Sequence, residues 1–144
     1  MENKILEQIK KSETAMLDTL AQIVNIDSGY DALEGIDEVA HMIGDCFTPC
    51  GFEVQYIETP NAPTHVLAKR PRPGKKKVML MGHMDTVFPK GTAAARPFRI
   101  EDGKAYGPGV MDMKAGIAIS LYTVKALLDN GWDDTDLTLF FCGD

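Results

Sequence analysis

Hydrophobic residues recur at helical spacing in three stretches of the 144-residue chain. Such stripes predict amphipathic helices over residues ~3–25, ~35–50 and ~113–129. Residues 27–34, between the first two helices, form a polar break, and Gly51 suits the end of the second helix. The three stripes consist of Ile5, Ile9, Met16, Leu20 and Val24, then Ile36, Val39, Ala40, Ile43, Phe47 and Cys50, and finally Ile117, Leu121, Val124 and Leu128.

Shorter apolar runs predict four strands, over residues ~53–58, ~64–70, ~76–82 and ~136–142. In the third of them, Val78–Met81 is continuously apolar, which is typical of a strand covered on both faces. Because these strands interleave with helices that can cover them, the pattern predicts an α/β fold, a layered mixed sheet with covering helices.

The charge balance argues against two classes of partner. The formal net charge is −6, which disfavours nucleic acid and anionic membranes. No apolar run approaches the ~20 residues that span a bilayer, and we expect no signal peptide. The basic segment 69–77 runs against the average, but its Pro-Arg-Pro-Gly core favours a solvated turn over a phosphate-binding patch.

The three cysteines, Cys46, Cys50 and Cys142, are too few and odd in number for a disulfide framework. Their usage predicts a reducing, cytoplasmic environment. Cys46 and Cys50 share a helix face, where they are interpreted as small hydrophobic residues rather than as half of a metal site.

Residues 83–111, rich in proline and glycine, are predicted to form one long loop, and this loop carries the candidate chemistry. His83 directly follows an apolar strand, which is where ligands bind in open α/β sheets. An imidazole is a common zinc ligand, Asp85 could orient it through its second ring nitrogen, and Asp112 could bridge two cations. From these residues alone, two alternatives stay open. His83 and Asp85 could be a chance pair, and Asp112 could simply cap the third helix, with Lys114 in solvent.

The Gly107-x-Gly109 pair raises one further possibility, a dinucleotide-binding loop. The third glycine of that motif would fall at position 112, where the chain has aspartate. No long apolar strand precedes the pair either, so the context for a dinucleotide site is missing.

Two motifs together resemble those of the co-catalytic zinc exopeptidase family. That family includes glutamate carboxypeptidases, aminoacylases, acetylornithine deacetylases and succinyl-diaminopimelate desuccinylases, and the likeness is closest to the glutamate carboxypeptidase branch. The motifs match in order and spacing, and the resemblance covers essentially the whole chain. They are Gly82-His83-Met84-Asp85-Thr86-Val87 and Gly103-Lys104-Ala105-Tyr106-Gly107-Pro108-Gly109-Val110-Met111-Asp112-Met113-Lys114-Ala115-Gly116, with Pro97-Phe98 between them.

The resemblance implies a role for each of three residues. His83 matches a histidine that binds one zinc, Asp85 matches the catalytic-site carboxylate that orients it, and Asp112 matches an aspartate that bridges both zincs. A cis peptide bond is implied between Asp112 and Met113. In such a site two zinc ions, which manganese or cobalt could replace, activate a shared water and polarise the scissile carbonyl, with a glutamate as the general base.

The resemblance also implies parts that these 144 residues lack. The family continues after a strand like Leu137–Cys142 with two consecutive glutamates, the base and a zinc ligand, whereas the sequence stops at Asp144. We therefore expect residues 1–144 to be the N-terminal part of a truncated catalytic domain, without its C-terminal part and without the lid or dimerisation domain.

Two functions are expected on this basis. The first is a zinc-dependent metallopeptidase, a carboxypeptidase or amidohydrolase that hydrolyses an amide bond adjacent to a free carboxylate in a small peptide or N-acyl amino acid, inactive as this fragment. The alternative is a non-catalytic assembly fragment that docks a C-terminal partner or self-associates. The exposed apolar last strand, as an open sheet edge, motivates that alternative.

Overall fold

A computed structural model describes residues 2–60 and 62–143 and shows a mixed α/β architecture. The helices are α1 (Glu2–Lys11), α2 (Glu13–Val24), α3 (Leu33–Phe47), the short α4 (Thr92–Ala95) and α5 (Ala115–Asp129). The strands are β1 (Glu53–Thr59), β2 (Ala62–Arg70), β3 (Lys76–His83), β4 (Arg99–Glu101), β5 (Lys104–Tyr106) and β6 (Thr135–Cys142).

Four strands form the main sheet, in the order β1-β2-β6-β3. β2 is antiparallel to both β1 and β6, whereas β3 and β6 are parallel and are joined through α5. Such a parallel connection needs a crossover, which α5 provides. The predicted mixed α/β sheet is therefore confirmed.

The hydrophobic core lies between one face of this sheet and the helices. β6 alternates buried and half-buried side chains along its whole length, as expected for a strand with one covered face. The core contains Val66, Ala68, Leu137, Leu139 and Phe141 from the sheet and Ile23, Ile36, Val39, Phe47, Ile117 and Val124 from α2, α3 and α5.

Two expectations about the sheet are wrong. β3 was expected to be covered on both faces, but Met79 and Met81 on one face are 50% and 65% exposed. β3 is also an edge strand of the described sheet. The last strand, β6, is not an edge, because it lies between β2 and β3. A continuous apolar run cannot reveal which strand becomes the edge, since pairing depends on contacts distant in sequence.

Two local elements also differ from the sequence prediction. The first predicted helix is two helices that meet at Ser12, whose hydroxyl donates to the Gln8 carbonyl. The long segment 83–111 contains α4 and the β4–β5 hairpin, and Asp102-Gly103 turns the hairpin with positive φ at both residues. None of the described helices is long and apolar enough to cross a membrane.

Candidate metal site

A groove of about 250 Å³ lies where the segment after β3 meets the segment that leads into α5. Its polar lining includes His83, Asp85 and Asp112, and its apolar lining includes Val87 and Phe88. The structure thus brings together all three residues that the sequence singles out. His83 and Asp112 are 29 positions apart. The residues alone left their pairing open, and the family resemblance implied it.

The His83 imidazole stands between the two carboxylates. Its Nδ1 lies 3.1 Å from Asp85 Oδ1, and its Nε2 lies 2.9 Å from Asp112 Oδ1. Burial acts to lower the pKa of His83, but the hydrogen bond to Asp112 and the charge of Asp85 outweigh it and raise the pKa above its ordinary value. A proton on Nε2 would compete with a metal ion there, so the raised pKa disfavours metal binding at low pH.

Asp112 does not cap α5, contrary to the alternative that the sequence leaves open. α5 begins at Ala115 without a side-chain cap, and the Asp112 carboxylate points to His83 instead. The implied cis peptide bond between Asp112 and Met113 is present, and Met113 Sδ accepts from the His83 backbone N–H at 3.4 Å. The wide turn Val110–Lys114 therefore carries both a carboxylate and a sulfur to the end of β3.

Lys114 is buried rather than solvated, with 1% of its surface exposed. Its ammonium donates to the carbonyls of Ile23 and Ile26, at 2.7 and 2.9 Å, at the C-terminal end of α2. A cation is favourable at this end of a helix. Desolvation lowers the pKa of Lys114 to about 8, against the attraction of Asp27. The residue thus joins the start of α5 to the end of α2.

The predicted polar break at residues 27–34 supports the floor of the groove. Thr86 N–H donates to the Ser28 carbonyl at 2.7 Å, and the Asp27 carboxylate accepts from the N–H groups of Gly91 and Ala93 at 2.6 and 2.8 Å. The hydrogen bond from Ala93 is the main reason why the pKa of Asp27 is below its ordinary value. Sequence reasoning missed this role, because only the fold brings the two segments together.

The donor set fits one corner of a zinc site. An imidazole nitrogen and an exposed carboxylate face each other, and a second carboxylate holds the other ring nitrogen, as zinc-bound histidines usually require. Within residues 2–60 and 62–143, no group of three or more His, Cys, Asp or Glu side chains is arranged to hold a metal ion. His83 and Asp112 thus offer two ligands, whereas catalytic zinc usually has three.

The other two histidines and the cysteines of the second predicted helix lie away from the groove. His41 stacks on Tyr56 with ring centroids 4.3 Å apart, and His65 Nδ1 accepts from the Gly143 N–H. Burial raises the thiol pKa of Cys46 and of Cys50, which fits their interpretation as small hydrophobic residues.

The basic segment 69–77 has acidic partners in the structure. Arg70 and Arg72 both pair with Asp133, and Lys75 pairs with Asp134. These ion pairs support the interpretation of the segment as a solvated turn.

Comparison with known proteins identifies related sequences. Residues 79–144 match the model of peptidase family M20/M25/M40. The chain is 35% identical to carboxypeptidase G2 from Pseudomonas sp. (strain RS-16) over 135 residues, which is 92% of this chain and 32% of that protein. It is 44% identical over 75 residues to succinyl-diaminopimelate desuccinylase from Corynebacterium glutamicum, 52% of this chain and 20% of that protein. The chain thus spans a third or less of these two relatives.

Two solved structures have the same fold as this chain. Human carnosine dipeptidase 1 superposes with a TM-score of 0.85 at 20% identity, over 99% of this chain and 34% of that one. A metallo-carboxypeptidase of the M20 family from Sulfolobus solfataricus gives 0.76 at 24% identity, over 89% of this chain and 30% of that one.

Proposed function

Because the chain belongs to peptidase family M20/M25/M40, we propose that it forms the first part of a zinc-dependent metallopeptidase site. The reaction is hydrolysis of an amide bond adjacent to a free carboxylate. Its substrate class is a small peptide or an N-acyl amino acid. The names of the two relatives, a carboxypeptidase and a desuccinylase, support this class. The cytoplasmic location rests on cysteine usage and stays a prediction.

The observation that carries the proposal is the position of His83 between Asp85 and Asp112. His83 Nε2 and Asp112 would hold the metal. Asp85, on Nδ1, would fix the tautomer that leaves Nε2 free to bind it. When bound, zinc, or manganese or cobalt in its place, supplies Lewis-acid activation of a water and of the scissile carbonyl.

A general base is the component that the described groove does not contain. No glutamate is among its described lining residues, and Asp85 and Asp112 are both engaged with His83. General-base catalysis contributes about 10²–10⁴-fold to rates of this kind. Because the described residues offer two metal ligands, we infer that the isolated chain binds metal weakly. Because the described groove has no general base, we infer that the chain does not turn over substrate.

The expected result for the purified chain with added zinc is no hydrolysis of acyl-glutamates or dipeptides above the buffer rate. Chromatography of the released free amino acid measures the rate of hydrolysis. His83→Ala is the matched control for contaminating peptidases. Turnover that the wild-type chain shows and His83→Ala loses would contradict the inferred inactivity.

A second candidate function is assembly through the open edge of the sheet. Among the described strands, β3 rather than the last strand lies at the edge of the sheet, which favours assembly because edge strands readily add another strand. The added strand would come from a complementary polypeptide or from another copy of the chain. A chain that binds no strand-forming peptide from a relative's C-terminal part would contradict docking of such a partner.

A further inference from the structure

The Asp112 carboxylate is not fixed by packing of its own side chain. That side chain is 86% exposed, and it meets His83 Nε2 at 2.9 Å. A surface ion pair of this kind contributes little to holding its two partners in one geometry. The position of the carboxylate against His83 therefore depends on how the backbone of the wide turn Val110–Lys114 is held.

Lys114 ends this turn and is its most deeply buried residue. Its backbone N–H donates to the Gly109 carbonyl at 2.9 Å, which closes the turn. Its ammonium donates to the carbonyls of Ile23 and Ile26, in the last turn of α2 and just beyond it. Carbonyls at a helix end lack partners within their own helix. The lysine supplies donors there, and it ties the Asp112 turn to α2.

The turn leaves room for the lysine stem at Gly109. A Cβ at this position would lie 2.5 Å from Thr86 Cγ2 and 3.5 Å from Lys114 Cδ, and φ there is +71°. The glycine thus lets the lysine stem, the turn and the segment after Asp85 approach one another closely.

The chain that binds the lysine also holds the other side of the groove. The Ser28 carbonyl accepts from the N–H of Thr86, which follows Asp85 directly and is 7% exposed. Residues 23–28 therefore contact both segments that carry the candidate site. One contact is with the backbone beside Asp85, and the other is with the ammonium of Lys114.

We propose that Lys114 is a positioning residue of the metal site. By fixing the turn to the end of α2, it holds the Asp112 carboxylate within reach of His83 Nε2. Lys114 itself contacts neither the metal nor the substrate. The inference rests on the proposed metal site and adds to that site a residue that acts through the backbone of a ligand.

Zinc affinity separates this positioning role from a contribution to stability alone. Lys114→Met removes the ammonium and keeps most of the side-chain volume. Under conditions where the variant is folded, competition with a chromophoric chelator should show zinc binding about tenfold or more weaker than in the wild type. Unchanged zinc affinity in Lys114→Met would overturn the proposal.

Val39→Ala is the control for a general loss of stability. Val39 is fully buried on α3 and is not among the residues that line the groove. Its truncation removes core contacts and should lower the free energy of unfolding without changing zinc affinity. An equal loss of zinc affinity in Val39→Ala would show that Lys114→Met acts through stability alone, against a positioning role.

Amide hydrogen exchange of the metal-free chain gives a readout that needs no zinc. The N–H of His83 bonds to Met113 Sδ, and the N–H of residue 114 bonds to the Gly109 carbonyl. In Lys114→Met both should exchange several-fold faster, beyond any change in the amides that pair β2 with β6. Val39→Ala should produce no such excess.

The two readouts have separate meanings. A wild-type chain whose zinc binding does not depend on His83 would contradict the proposed metal site. Amide exchange would still decide whether Lys114 holds the turn, and unchanged rates for these two amides in Lys114→Met would overturn that role.

Discussion

Replacing Lys114 with alanine is expected to lower the free energy of unfolding by about 2–4 kcal/mol. The substitution leaves the carbonyls of Ile23 and Ile26 without their donor and opens a cavity at a position that is 1% exposed. Urea denaturation monitored by circular dichroism measures the change. Lys114→Met is the control that keeps most of the volume, and it should lose less stability than the alanine variant.

The pH dependence of the same variants reports on the lysine charge. Because the pKa of folded Lys114 is about 8 and its ordinary value is 10.5, the unfolded chain retains a proton between these pH values that the folded chain has lost. The stability of the metal-free wild-type chain should therefore rise from pH 8 towards pH 10 relative to Lys114→Met, by at most about 1.4 kcal/mol per pH unit. Parallel stability curves for the two proteins would contradict a desolvated ammonium.

Gly29→Ala is expected to destabilise the fold by about 2–4 kcal/mol. A Cβ at this position would lie 1.9 Å from the carbonyl oxygen of Phe88, so the segment that lines the groove would have to move. The matched control is Gly74→Ala, where no atom lies within 4 Å but φ is +79°. That change should destabilise by only about 1 kcal/mol, through backbone conformation alone. Equal losses for the two variants would show that residues 27–31 do not support the groove.

The main helices and strands could be predicted because their signals are local. The apolar stripe of α5 and the apolar run of β6 reflect side-chain burial within one element, and both elements are found where the pattern places them. The Asp102-Gly103 hairpin also had a local signal, a two-residue turn sequence, which the interpretation of residues 83–111 as one loop overlooked.

The position of β3 and the environment of Lys114 could not be predicted, because both depend on tertiary pairing. The run Val78–Met81 is apolar whether or not a further strand pairs with it and whether or not other elements cover its faces. A lysine beside a candidate ligand has the same sequence context whether it is solvated or bound to α2. The hydrogen bonds of Asp27 with Gly91 and Ala93 join segments more than sixty residues apart, which no local pattern encodes.

Whether His83 and Asp112 are ligands of one metal ion can be measured by zinc titration of the metal-stripped chain. The titration uses calorimetry and competition with a chromophoric chelator. The expected result is weak binding that His83→Ala abolishes and that Asp85→Asn weakens about 10- to 100-fold. His41→Ala should not change it, because that histidine stacks on Tyr56 away from the groove. Tight binding of two zinc ions per monomer, or equal affinity in wild type and His83→Ala, would contradict it.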